Sequence, residues 1–391
     1  MPRVAVVGGS LAGLTAAVLL RDAGCQVDVY ERSAIPLSGY GAGIVIQPEL
    51  SRYFLERSEF TLERISVPSH GIRYFNAEDA TLIGEIDADW RYTSYNALYQ
   101  GLLRCYGEER YHLGQALVAL EQRGAEVELR FGSGRVVHCD FAVCADGGFS
   151  TARQRLLGVV PKYAGYVTWR GLARPGVLGE KTWAFFDERF TYGLLSDGHL
   201  IAYPIPTVSD DIRVTGRSIN FQWYWNVAEG RELDEMMCDR EGVRRPVSVH
   251  AEGVQQRYLD ELHRRARAQI ALAPFVELIT QTEKPFITII ADTDVPRMVI
   301  GRVCLLGDAA VTGRPHAAAG AAKAAANAWA LADALAASSG DVDEALRLWE
   351  PRQLEHGRAL LAKVRHMASY LQHGKRFVPG DPAFRFGMPA V

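Results

Sequence analysis

The sequence predicts an α/β chain in which a parallel sheet is joined to a second, mostly antiparallel sheet and followed by C-terminal helices. Three observations predict it. Residues 3–32, RVAVVGGSLAGLTAAVLLRDAGCQVDVYER, read as strand, glycine turn, helix, strand and acid. Residues 163–227 break into short aromatic runs separated by turns, the texture of antiparallel strands. Residues 301–373 carry a strand end, a long alanine-rich helix and further helical periodicity.

The first stretch carries the most information. Val4 to Val7 is apolar and β-branched, as a buried parallel strand requires. Gly8, Ser10 and Gly13 occupy the three glycine positions of a dinucleotide fingerprint, with serine at the middle one. Residues 11–23 form a helix that stops at Gly24. Residues 26–30 form a second strand that delivers Glu31 about 20 residues beyond the glycines, where an acid accepts hydrogen bonds from a ribose. A lone glycine turn is often only a tight connection, but the complete order predicts a Rossmann-like unit with a pyrophosphate on the helix N-terminus. The turn itself leaves NAD(P) and FAD both open.

Composition narrows the function class. Over 391 residues, 43 Lys and Arg against 46 Asp and Glu give a net charge of −3, too weak a field to favour nucleic acid or an acidic membrane surface. No apolar run approaches the roughly 20 residues of a membrane span, and a strand occupies the first residues, so no signal peptide and a cytoplasmic small-molecule enzyme are expected. The six cysteines show no metal-ligand spacing, so free thiols and no metal site are expected.

Residues 36–48 then supply three glycines in five residues before an apolar strand, a loop able to lie against a flat ligand. Residues 70–86 read as a hairpin of a different sheet, 94–105 as a helix and 135–145 as a strand. That strand enters a second turn, Asp146 to Ser150, with Arg153 three residues on. Its aspartate either faces a nucleotide or simply caps the next helix. Residues 228–273 read as helical, charged and solvated. In 301–335, Val303 to Leu306 form a strand with Asp308 at its carboxyl end, and a helix begins near Gly320. The unpaired N–H groups and dipole of such a start favour an anionic ligand edge. Residues 342–373 read as a helical pair and 377–391 as an irregular tail. The expected division is a discontinuous nucleotide domain of residues 1–69, 87–162 and 286–340, a substrate domain of 70–86 and 163–285, and a C-terminal segment of 341–391.

The glycine turn near residue 8, DGxxS from Asp146 and GDAA from Gly307, in that order, resemble the aromatic flavoprotein monooxygenases of the para-hydroxybenzoate hydroxylase type. The resemblance spans essentially the whole chain. It implies FAD in the first site, NADH or NADPH as a transient co-substrate, O2, and commonly a homodimer. By the resemblance, Gly8, Ser10, Leu11, Ala12, Gly13, Glu31 and Arg32 hold the adenosine and pyrophosphate. The loop from Gly41 through Gly43 to Val45 lies near the flavin. Asp146 belongs to the DG turn, Asp308 takes the ribityl or pyrophosphate region, and Pro315, Gly320 and Ala321 flank the isoalloxazine. The chain departs from the family pattern at Val311, where histidine is usual, at Ala318 for glycine and at Ala322 for asparagine. Tyr95 and Asn96 stand where an arginine is often found.

The implied reaction is hydroxylation, through a flavin hydroperoxide, of an electron-rich hydroxylated aromatic or N-heteroaromatic ring such as a dihydroxypyridine. His316 is the first candidate for the base that activates the ring and His199 the second; a structural role is as common for a histidine. Strand alternation makes Tyr192, Tyr203, Gln222 and Tyr224, with Pro315, the candidate substrate wall, with core packing as the alternative. Two other functions stay open: a nicotinamide-only dehydrogenase, and a flavin-bound interaction protein gated by redox state.

Overall fold

The computed structural model describes residues 2–38, 43–207, 213, 216–374 and 377–390. Its architecture is the expected α/β arrangement. A six-stranded sheet runs in the order Val299–Ile300, Val303–Leu305, Phe141–Cys144, Arg3–Val7, Gln26–Tyr30, Tyr111–His112. Every neighbouring pair is parallel except the first. Helix Leu11–Asp22 packs against helix Gly320–Ala337, so the two helix starts that the sequence singled out belong to one layer.

The second sheet has eight strands, in the order Ser248–Val249, Phe286–Asp292, Lys162–Ala173, Arg217–Asn226, Gly198–Pro206, Phe190–Leu195, Ile72–Asn76, Leu82–Ile86. Only Phe190–Leu195 with Ile72–Asn76 is parallel. Its two faces do different work, because side chains alternate along a strand. Trp169, Trp223, Trp225 and Phe221 join one buried cluster with Leu262 and Phe275 from helices Gln256–Gln269 and Ala273–Gln281. Tyr166, Tyr192, Tyr203 and Tyr224 point the other way, into the cluster shared with the parallel sheet.

Four sequence expectations need correction. Residues 135–145 form two strands, because the chain changes sheets at Asp140. Val136–Cys139 pairs with Glu126–Phe131 in a three-stranded sheet, while Phe141–Cys144 pairs with Arg3–Val7. The Asp140 carboxylate accepts the Arg3 N–H at 2.7 Å at the crossover. Residues 342–373 form one helix, Val342–Leu371, with Pro351 inside it. Side chains on either side of the proline hold both halves in line: Trp349 Nε1 donates to the Asn327 carbonyl at 2.9 Å, and Asn327 Nδ2 to Gln353 Oε1 at 2.8 Å. Such anchoring outweighs the lost intrahelical bond. Residues 228–273 are not all solvated helix; Leu262 and Ala266 are buried on the tryptophan face, and 240–250 is largely irregular. Strand Phe286–Asp292, grouped above with the nucleotide segments, has its ladder partners in the eight-stranded sheet.

Candidate functional site

The glycine turn is tight for steric reasons. Gly8 has φ +100°, and a Cβ there would lie 2.4 Å from the Ala145 carbonyl oxygen. A Cβ on Gly13 would meet the Gly8 carbonyl oxygen at 1.8 Å. The first strand, the DG turn and the helix start are thus in backbone contact, which only glycine permits. Ser10 is the residue before helix Leu11–Asp22, yet its hydroxyl does not cap that helix. It shares a 2.7 Å hydrogen bond with the Tyr95 hydroxyl, so Tyr95, standing where an arginine is often found, reaches the turn after all. Leu11 is buried, and Ala12 lies against the turn at Gly307. Glu31 is buried at the turn. Its Oε2 accepts the Gly9 N–H at 2.7 Å and its Oε1 the Ser33 N–H at 2.8 Å. Arg32 is exposed.

The second and third turns are clipped together. Asp146 accepts the Ser150 hydroxyl at 2.5 Å and the Ala152 N–H at 3.2 Å, while Ser150 caps helix Thr151–Leu157 through the Arg153 N–H at 2.9 Å. Ser150 is thus the capping residue, and Asp146 supports it and the first turn of the helix. Arg153 is 1% exposed. Its guanidinium donates to the carbonyls of Gly148 (2.6 Å), Val159 (3.1 Å), Ala309 (3.1 Å) and Asp308 (3.3 Å). Burial pulls its pKa down, opposed by Asp146 and Asp308. The Asp308 side chain is half-exposed, with Lys323 Nζ 3.4 Å from its Oδ1. Lys323 is buried in the first turn of helix Gly320–Ala337 and also donates to the Val311 carbonyl. Burial lowers its pKa, opposed by Asp308. The sequence reading passed over Lys323; its only signal was a single cation in an alanine-rich helix start. Ala318 adopts φ +50°, ψ 29°, the left-handed conformation. The backbone thus keeps a glycine-like geometry where the family pattern has glycine, at a cost of about 1–2 kcal/mol.

The third turn, through Asp308 and the segment after it, opens onto a cavity of about 460 Å³. Pro315, His316, Gly320 and Ala321 line it from the turn and helix start, and Gly43 and Val45 from strand Gly43–Val45. Gly41 and Ala42 lie outside the described residues. The sheet contributes Tyr192, His199, Tyr203, Gln222 and Tyr224, so both candidate histidines and the whole candidate wall converge on one space. The ladder explains the convergence: Tyr224 is paired with both Thr168 and His199, and Gln222 with Arg170 and Ile201.

Inside the cavity His199 stacks on Tyr224, with centroids 4.3 Å apart and planes at 10°. His316 lies 5.2 Å from His199 and 5.4 Å from Tyr224, centroid to centroid. His316 Nε2 shares a 2.7 Å hydrogen bond with the Tyr166 hydroxyl. His199 Nδ1 is buried and has no hydrogen-bond partner among the described residues. Burial pulls His199 down to about 3, with the Gln372 side chain and Leu371 backbone acting the other way. Burial also pulls His316 well below its ordinary value, with His199 and Arg314 adding to the effect. The Tyr224 hydroxyl donates to Gln222 Oε1 at 2.6 Å. Tyr203 stacks on Phe190, and a Cβ on Gly43 would lie 2.5 Å from its ring. Tyr192 stacks on Tyr74 at 4.9 Å. Arg170, Tyr95 and, from the tail, Phe386 also line the cavity and were not candidates. Arg170 was legible in principle, two residues from Thr168 on an alternating strand.

Comparison with known proteins agrees with this geometry. Residues 6–49 match the family description "NAD(P)-binding Rossmann-like domain" and residues 163–292 match "FAD binding domain-like". The second match covers most of the eight-stranded sheet. The chain is 51% identical over 389 residues to 2,6-dihydroxypyridine 3-monooxygenase of Paenarthrobacter nicotinovorans, covering 100% of this chain and 96% of that one. The solved structure of 2,6-dihydroxypyridine-3-hydroxylase from Arthrobacter nicotinovorans superposes with a TM-score of 0.96 at 51% identity, over 100% of this chain and 98% of the other. HpxO of Klebsiella pneumoniae, solved with FAD and uric acid, shares the fold at 22% identity, with a TM-score of 0.78 over 95% and 88% of the two chains. Identity at the first of these levels over the full length is decisive: the chain belongs to the aromatic flavoprotein monooxygenases, which use FAD, NAD(P)H and O2.

Proposed function

We propose that the protein hydroxylates a dihydroxypyridine or a closely similar hydroxylated N-heteroaromatic ring. The carrying observation is the single cavity that joins the helix start at Gly320 to a sheet face of tyrosines, glutamine and histidines. The 51% identical relative acts, by its name, on 2,6-dihydroxypyridine.

The residues fit FAD. A helix start whose serine leaves its N–H groups uncapped meets a pyrophosphate, and the buried Glu31 carboxylate keeps lone pairs beyond its two backbone bonds for a ribose. The start of helix Gly320–Ala337, also without a side-chain cap, presents N–H donors and positive potential to the cavity beside Pro315. Gly8, Ser10, Leu11, Ala12, Gly13, Glu31 and Arg32 accordingly form the adenosine and pyrophosphate end. Asp308 with Gly43, Val45, Pro315, Gly320 and Ala321 forms the flavin end. Asp146 acts by shaping the DG turn. Bound FAD supplies hydride acceptance from NAD(P)H and the activation of O2.

The chain's own part is to bind, orient and keep dry. Tyr192, Tyr203 and Tyr224 supply apolar ring faces, and burial keeps all three hydroxyls protonated. Both histidines stay neutral near pH 7, so each offers a lone pair or an N–H and no charge. His199 Nδ1, unpartnered among the described residues, is the atom best supported as a hydrogen-bonding partner for a ring hydroxyl. His316, engaged by Tyr166, holds the adjoining edge of the cavity. The aromatic walls exclude water, which protects activated oxygen from wasteful release. The same reading carries a cytoplasmic homodimer, checked by light scattering and cell fractionation.

The test is direct. Purified protein should hold about one FAD per chain. 2,6-Dihydroxypyridine should accelerate NADH or NADPH oxidation and gain one oxygen atom from 18O2. Oxidation at the same rate with or without any hydroxypyridine, yielding only hydrogen peroxide, would overturn the substrate assignment.

A further inference from the structure

We propose that Arg170 makes this cavity select the ring in its anionic form, by pairing its guanidinium with a deprotonated ring oxygen. The inference rests on the reading that the cavity takes a hydroxylated ring and adds the charge state and the residue that reads it.

The argument is one of charge balance in a partly dry space. Among the described residues, three cationic side chains line the cavity: Arg170, Arg314 and Lys323. Arg314 is paired with Asp292 at 3.1 Å, and Asp292 also takes Arg365 at 3.0 Å. Lys323 is paired with Asp308. Arg170 has no carboxylate partner among the described residues. Its Nε is buried without any hydrogen-bond partner, and its guanidinium carbon lies 5.9 Å from the Phe286 ring centroid, the outer limit of a cation–π contact. A buried guanidinium donor left unpaired is costly.

The surroundings tell which ligand relieves that cost. The Arg170 backbone is paired directly with Gln222. Because Tyr224 engages Gln222 Oε1, the amide adds N–H donors beside the guanidinium. Tyr203 and Tyr224 are raised by burial and drawn back by the Arg170 charge, and both stay neutral. His199 and His316 are neutral as well. The wall near Arg170 thus offers donors and one positive charge, with no carboxylate paired to it among the described residues. A neutral ring leaves that charge uncompensated, whereas a ring carrying one negative oxygen cancels it with charge-assisted hydrogen bonds. The bound anion is also the more electron-rich ring, the form that attacks activated oxygen.

The experiment titrates FAD-loaded enzyme with 2,6-dihydroxypyridine, at a pH where it is a monoanion in solution, and with its neutral dimethyl ether, 2,6-dimethoxypyridine. Binding is read from the flavin absorbance. Arg170→Gln should weaken dihydroxypyridine binding by about 10- to 150-fold and leave the dimethyl ether within about twofold, at unchanged FAD content. Arg170→Lys should restore part of the loss. If Arg170→Gln does not retain FAD, Arg170→Met carries the same comparison. Loss of both ligands alike, or of neither, overturns the role of Arg170. Wild-type enzyme that binds neither ring overturns the functional reading, and the inference falls with it.

Discussion

His199 and His316 meet at 5.2 Å, both buried, and their chemistry follows from that burial. Below the ordinary imidazole value of 6.5 the unfolded chain takes up a proton at each, while in the folded chain His199 stays neutral down to about 3. The unfolded state binds more protons, so stability rises with pH across this window. The contribution is complete above about pH 7 and is lost as pH falls toward 3, at up to about 1.4 kcal/mol per pH unit for each histidine. His199→Phe keeps a ring against Tyr224 and removes one of these protons. Urea unfolding midpoints between about pH 6.5 and 4 should therefore fall less steeply in the variant than in wild type; parallel slopes would show that His199 is not held neutral by burial. The sequence could nominate both histidines from their places beside a strand and a turn. It could not show that they share one cavity, because 117 residues of separation carry no distance information.

At the scale of elements, the three turns act as one assembly. Gly8 and Gly13 bring backbone into contact that no side chain could enter, and Arg153 ties the DG turn to the GDAA turn through three carbonyls, with a fourth bond to Val159. Arg153→Met fills similar space and strands those acceptors. It should destabilise the protein by about 2–4 kcal/mol and lower FAD content, both read by urea unfolding with flavin fluorescence. Unchanged stability would mean that water replaces the guanidinium. The motifs of this assembly were legible because each is a local backbone requirement. Their clamp was not, because Arg153 resembles any basic residue in a helix's first turn until its partners are known. Pro351 shows the opposite limit: local propensity called for a break, and the anchoring of Trp349 and Gln353 carried the helix through.

At the scale of the molecule, the C-terminal tail packs along the sheet and adds Phe386 to the wall of the cavity. Phe377 packs on Tyr74 with centroids 4.8 Å apart, Phe386 lies 5.1 Å from Phe190, and the Gly387 N–H donates to the Ala317 carbonyl at 2.8 Å. Ending the chain at Gly374 removes these contacts and exposes to water the part of the wall that Phe386 covers. The shortened enzyme should still bind FAD and oxidise NAD(P)H, with less ring product per nicotinamide and more hydrogen peroxide. Equal coupling in the two forms would assign the tail to stability alone. From sequence the tail read as irregular, since phenylalanines among prolines and glycines show no period.

The sequence by itself determined what depends on neighbours along the chain: the strand, turn and helix order around Gly8, the helix start at Gly320 and the aromatic strands of the second sheet. Those features follow from backbone sterics and side-chain alternation, which act within a few residues. Only the tertiary structure decided what depends on burial and meeting. It turned His199 and His316 into neutral groups of one cavity, engaged Asp146 within its own turn, and left Arg170 without a carboxylate among the described residues. Desolvation and charge pairing are properties of a three-dimensional surrounding, and segments from across the chain assemble this one.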